Sequence, residues 1–157
     1  METKELYREI LNEHNINPAH KEELSGANLT LQGVNPSCGD NITLKLKTEN
    51  GKIVDGAFDG SGCAISQASV DMMLDLIIGK PEEEALRLCE IFMGMIQGTV
   101  TEEQIEELDE ASALRAIQHM PARVKCAELG WRTMREMLGL KKDTATATAS
   151  HPDCPTN

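Results

Sequence analysis

Three cysteines stand in stretches built to turn rather than to pack. Cys38 lies in Asn-Pro-Ser-Cys-Gly-Asp, two residues before Asp40. Cys63 lies in Gly-Ser-Gly-Cys-Ala-Ile-Ser, and Cys126 in Pro-Ala-Arg-Val-Lys-Cys-Ala, flanked by Arg123 and Lys125. A thiolate is both the nucleophile and the metal ligand of cysteine chemistry, and it is favoured at a helix N-terminus or beside cationic side chains. Glycines let the backbone approach closely and leave room for a bound ion. Asp40 offers a hard oxygen within reach of the centre that Cys38 would serve. Three thiolates and one carboxylate make a four-ligand set suited to tetrahedral zinc, anionic overall and therefore still nucleophilic at sulfur.

The spacing by itself fits no regular zinc pattern, because no CxxC pair is present. For each cysteine taken singly, a small buried core residue is the alternative. That alternative is the expectation for Cys89, which shares an apolar face with Leu86 and Phe92. Cys154 lies in the polar tail and reads as an exposed thiol. Gly60-Ser61-Gly62 follows a strand and precedes a helix as a dinucleotide loop does, but Ile65 stands where the third glycine belongs. The four histidines read as isolated. Only His119, just before Met120-Pro121, is close to a site element, and surface or partner contact is expected there rather than ligation.

The elements that must position these residues are legible from periodicity. Glu2 to His14 places Leu6, Ile10 and Leu11 near helical spacing, and residues 15–27 read as a connector. The period then changes to two over Asn28–Val34, Asn41–Thr48 and Lys52–Gly60, with a hairpin signal at Glu49-Asn50-Gly51. A three-stranded antiparallel sheet follows, with Cys38 on the connection between its first two strands. Helices follow from Ile65 or Ser66 to Ile78 (Ile65, Ala68, Met72 and Leu76 on one face), from Pro81 and from Thr101. The Thr101 helix carries a Thr101/Gln104 capping box. A short helix is expected over Ala111–Gln118. The last opens at Pro121, with Val124, Ala127, Trp131, Met134 and Leu138 at heptad spacing. The fold class is α+β, strands first and helices packed on one sheet face. One domain spans 1–141, and residues 142–157, small and polar without periodicity, read as a disordered tail.

Bulk composition narrows the function classes. The 157 residues suit a single domain with a real core, and aromatics at 3% leave that core to Leu, Ile, Val, Ala and Met. A net charge of −11 argues against nucleic acid as the main partner. Residues 81–110 carry ten acids against Arg87 alone, whereas residues 121–142 carry six basic residues against two acidic. The charged opening has no apolar signal region, and no stretch approaches a membrane span. Five cysteines without such a signal lead to the expectation of a reducing cytoplasm.

Together, "NPSCGD", "DGSGCAISQASVDMM" and "PARVKCAELGW" resemble the three cysteine motifs of the IscU/NifU-like iron–sulfur cluster assembly family, and "LYREILNEHNINP" resembles its opening. The resemblance covers roughly residues 4–138. Lys125 stands where IscU-type scaffolds usually carry a histidine. The long interval between Cys63 and Cys126 resembles the insertion of SufU-type members, and Arg123 and Trp131 also fit that type. The resemblance implies that Cys38, Asp40, Cys63 and Cys126 bind zinc, that Cys38 accepts sulfur, and that Arg123 docks to the donor. That donor would be a PLP-dependent cysteine desulfurase of the SufS type, with a SufBCD-type scaffold downstream. The implied activity is a zinc-dependent sulfurtransferase. The alternative is a scaffold that assembles and transfers a [2Fe–2S] cluster on the same cysteines. The chain departs from the family in lacking a basic residue just after Asn17-Pro18 and in its acid-rich 82–110 stretch.

Overall fold

A computed structural model describes residues 3–146. Helix α1 (Thr3–Ile16) is followed by strands β1 (Leu29–Asn35), β2 (Asp40–Glu49) and β3 (Lys52–Ser61), then α2 (Ala64–Ile77), α3 (Glu82–Gln97), α4 (Glu102–Glu106) and α5 (Val124–Thr146). The strands form an antiparallel meander in the order β1-β2-β3. Asn50 and Gly51 both take positive φ at the β2–β3 turn, the requirement of the two-residue turn that matches strand twist. Along β2, Ile42, Leu44 and Leu46 are buried at alternate positions, so one sheet face is apolar and must be covered.

Helices α2 and α5 cover that face and cross each other closely. The crossing is set by a small residue: a Cβ on Gly130 would stand 2.8 Å from the Val70 side chain. Polar bonds then lock the register. Ser69 Oγ donates to the Ala127 carbonyl at 2.6 Å, and Trp131 Nε1 donates to Ser69 Oγ at 3.0 Å. Behind α5, the rings of Phe92 and Trp131 stack at 4.2 Å between centroids. The expected heptad face of α5 is buried at Ala127, Trp131, Met134 and Leu138, and Cys89 is a core residue. Because α5 is clamped at these points, its first turn, which carries Cys126, has a fixed position over the end of β1.

The boundaries differ from expectation in places with physical reasons. The Thr101 capping box forms, with both reciprocal bonds present. The chain from Asp109 to His119, expected as a short α-helix over 111–118, is a run of 3-10 turns. Its buried residues Ala111, Leu114 and Ile117 are spaced by three, which aligns them on one ridge only at three residues per turn. A further 3-10 turn, Pro121–Arg123, precedes α5. Helix α5 runs to Thr146, past the boundary expected at 141. The remainder of the expected tail, with Cys154, lies outside the described residues. Part of the 81–110 acidity is paired: Arg87 bridges Glu84 and Glu107, and Arg115 binds Glu102. Among the described residues, no helix is long and apolar enough to cross a membrane.

Candidate metal centre

The β1–β2 connection is a tight turn over residues 36–39, closed by the strand pair Asn35 and Asp40. Cys38 N–H donates to the Asn35 carbonyl at 3.2 Å, and Gly39 takes φ +74°. Cys38 is therefore held at a turn apex, half-buried, while Asp40 one pleat below it is fully buried. The first turn of α5 brings Cys126 to the same point. Cys126 donates its S–H to Cys38 Sγ at 3.0 Å, and the ligand atoms of Cys38, Asp40 and Cys126 all lie within 4.8 Å of one another.

Cys63 comes to the rim of this cluster from the β3–α2 junction. It is the N-cap of α2: its Sγ accepts the Ser66 N–H at 3.5 Å. Its backbone N–H donates to Asp40 Oδ1 at 2.8 Å. The sulfur itself stands outside the Cys38–Asp40–Cys126 group, so three of the four expected ligands converge and the fourth adjoins them. The glycine before it is required by space. A Cβ on Gly62 would lie 2.7 Å from Asp40 Oδ1 and 2.6 Å from Ser66 Oγ.

Two residues not singled out in the sequence complete the carboxylate's surroundings. Asn35 Nδ2 donates to Asp40 Oδ2 at 3.2 Å and to Cys126 Sγ at 3.7 Å, and Ser66 Oγ donates to Asp40 Oδ1 at 3.2 Å. Burial works to raise the Asp40 pKa, but the bonds from Cys63 N–H, Cys126, Asn35 and Ser66 together bring it below its ordinary value. Asp40 is thus an anion at neutral pH. Burial raises Cys126 well above an ordinary thiol, and its bonds to Cys38, Cys63 and Asp40 add to this. Arg123 sits over the sulfurs, its guanidinium held charged first by Cys126 and then by the negative potential of Cys63 and Cys38. On α1, burial raises the Tyr7 phenol, Cys63 adds to this and Arg123 opposes it, which puts Tyr7 beside the same group. Polar asparagine and serine in turns are too common for sequence to mark them. A signal existed only in their places, at the strand end facing Asp40 and three residues after the N-cap.

Two thiols and a buried, ionised carboxylate that converge, with the Cys63 thiol adjoining them at the α2 N-terminus, fit the donor set of zinc. His119 makes no part of this group. The histidines read as isolated are not so: His14 is buried between Asp71 and Glu110, and His20 binds Asp75. These contacts join residues far apart in sequence, which is why spacing did not reveal them.

The family described as "NifU-like N terminal domain" matches residues 6–127. A Streptococcus pyogenes protein named iron-sulfur cluster assembly scaffold protein IscU is 43% identical, over 85% of this chain and 82% of its own length. A Bacillus subtilis protein named zinc-dependent sulfurtransferase SufU is 38% identical, over 83% of this chain and 88% of its own. A crystal structure described as an iron–sulfur cluster assembly scaffold protein for the SUF system, from Fervidobacterium islandicum, superposes with a TM-score of 0.79. Its identity is 34%, covering 87% of this chain and 99% of that one. This agrees with the antiparallel sheet and helical layer expected from sequence.

Proposed function

The chain belongs to the NifU-like N-terminal domain family of iron–sulfur cluster assembly proteins, and from that premise we propose that it is a zinc-dependent sulfurtransferase. The observation that carries this reading is Cys38 at the apex of an accessible turn, hydrogen-bonded to a buried Cys126 at 3.0 Å. A site meant only to hold a structural ion has no need of a half-buried ligand at the apex of a surface turn. Lys125 in place of a histidine, and the Bacillus subtilis relative, point the same way.

Cys38, Asp40, Cys63 and Cys126 would hold the zinc. When bound, zinc supplies a Lewis acid without redox chemistry that keeps its cysteine ligands deprotonated and tolerates ligand exchange. The rest of the chemistry belongs to the chain. Cys126 is buried at the foot of the turn, while Cys38 lies half-buried at its apex 3.0 Å away, so Cys38 is the sulfur that a donor can reach. Arg123 adds positive potential above it. The Cys38 thiolate attacks the terminal sulfur of the desulfurase persulfide. The persulfide S–S bond breaks, its electron pair leaves with the desulfurase thiolate, and Cys38 carries the new persulfide. No net oxidation occurs. Asp40, anchored by Cys63 N–H, Ser66 and Asn35, stays in place throughout.

The donor is a PLP-dependent cysteine desulfurase of the SufS type, Arg123 contributes to docking it, and a SufBCD-type scaffold receives the sulfur in the cytoplasm. The test is desulfurase turnover with and without this protein. Wild type is expected to raise turnover while carrying about one zinc per chain, and Cys38→Ala to abolish the rise; no effect of the wild type sinks the proposal. The name of the Streptococcus pyogenes relative favours a second reading, in which a [2Fe–2S] cluster is cargo built on the same cysteines. Anaerobic reconstitution that gives a coloured cluster passed intact to an apo acceptor would decide for it.

A further inference from the structure

A second group of ligating side chains lies where α1, α2 and the 3-10 segment meet. His14, near the end of α1, is 7% exposed. Its Nδ1–H donates to Asp71 Oδ2 at 2.6 Å, and its Nε2 faces Glu110 Oε1 at 2.7 Å. Asp71 is fully buried, and its carboxylate is fixed independently of His14 by the backbone N–H groups of Ala19 and His20, at 3.2 and 2.8 Å. One turn along α2, Asp75 accepts from His20 Nε2 at 2.8 Å. One ligand atom each from His14, Asp75 and Glu110 lies within 4.8 Å of the others.

We infer that His14, Asp75 and Glu110 form a second divalent-cation site, separate from the cysteines, that takes a first-row transition metal such as zinc. The donor chemistry is one imidazole nitrogen and two carboxylate oxygens, a set that suits borderline cations. The arrangement behind the donors is that of a built site. A metal-ligating histidine typically gives its other N–H to a carboxylate, which fixes its tautomer and raises its basicity. Asp71 does this for His14, and its own orientation is set by two backbone donors. His20 performs the corresponding service for Asp75. A salt bridge alone accounts for less of this: His14 satisfies Asp71 and Glu110, and His20 satisfies Asp75, but ion pairing gives no reason for ligand atoms of Asp75 and Glu110 to lie within 4.8 Å of each other.

Room for further ligands lies next to the donors. A cleft of about 380 Å³ is bordered by Asp75, Asp109, Glu110 and Leu76. Lys80 also lines it, but its ammonium donates to the Leu76 carbonyl at 2.6 Å. Binding releases the proton between His14 Nε2 and Glu110 and places a dication among three carboxylates. The three ligands come from α1, α2 and the segment that runs on to Arg123 and Cys126. A cation here would tie that segment and α1 to the helix whose N-cap is Cys63.

The test uses the full chain and Zn²⁺ alone. Chelator-treated protein is given one equivalent of Zn²⁺ to fill the cysteine site, then titrated further by calorimetry. Wild type is expected to take up a second equivalent. Glu110→Gln and Asp75→Asn, at side chains 57% and 47% exposed, are expected to fold as wild type. Each should weaken the second equivalent at least about tenfold, the loss that even an outer-shell change brings, and leave the first unchanged. With Co²⁺ as probe, the second equivalent should add d–d absorption without further thiolate-to-metal charge transfer, so failure at the cysteines is seen separately. A missing second equivalent, uptake only at millimolar Zn²⁺, or uptake indifferent to both substitutions overturns the inference.

Discussion

The sulfur atoms of Cys38 and Cys126, 88 residues apart in sequence, lie 3.0 Å from each other. Both are free thiols. Thiols so placed are set up to oxidise when nothing else engages them. Chelator-treated protein exposed to oxidised glutathione is therefore expected to lose these two thiols together and yield a Cys38–Cys126 linked peptide on mapping. Zinc-loaded protein should resist. A Cys38–Cys63 product, or equal oxidation with and without zinc, would contradict the arrangement of the cluster.

Asn35 bonds both the carboxylate and the buried sulfur, at 3.2 and 3.7 Å. Its side chain cannot serve as a ligand substitute, so its effect is on the orientation of Asp40 and the electron density at Cys126. Asn35→Ala is expected to lower zinc affinity about 10- to 100-fold, the range for loss of an outer-shell partner. It should also cost about 1–3 kcal/mol of stability, because buried acceptors lose their donor. Competition against a chromophoric chelator measures the first and denaturant unfolding the second. Unchanged affinity would reduce Asn35 to a strand-end residue.

Gly33 on β1 faces α5, and a Cβ there would collide with Thr133 Oγ1. Thr133 is buried and its hydroxyl donates to the Leu129 carbonyl at 2.8 Å, so it cannot move without losing that bond. Gly33→Ala is expected to destabilise by about 1–3 kcal/mol through overpacking. Adding Thr133→Ala should recover part of the loss, giving a favourable coupling in a double-mutant cycle. Additive effects would mean that β1 and α5 adjust independently.

These outcomes separate what was legible in the sequence from what was not. The β2 alternation of Ile42, Leu44 and Leu46, the Asn50-Gly51 turn and the Thr101 capping box are local signals, and each produced the element expected of it. The motif around Cys38 could be read because turn chemistry is local as well. Asp71 could not. In an amphipathic reading of α2 it belongs on a solvent face, yet α2 is buried almost all round and Asp71 binds His14 from 57 residues away. The 3-10 run at 109–119 was obscured for a related reason. Its period of three appears in the burial of Ala111, Leu114 and Ile117, which depends on what covers them.

Cys89 tests the core that holds these positions. Its thiol donates to the Trp131 carbonyl at 3.5 Å, beneath the Phe92–Trp131 stack, and burial pushes its pKa up to about 12. At pH 8 the thiolate fraction is then roughly one part in ten thousand, and access is closed as well. Iodoacetamide is expected to leave Cys89 unlabelled in the native, zinc-loaded protein and to label it only as guanidinium opens the fold. Phe92→Ala should cost about 3–5 kcal/mol and shift labelling to correspondingly lower denaturant. Rapid native labelling of Cys89 would show that the α3–α5 contact opens by itself. The clamp that fixes Cys126 against Cys38 would then have to lie in the Ser69 bonds alone.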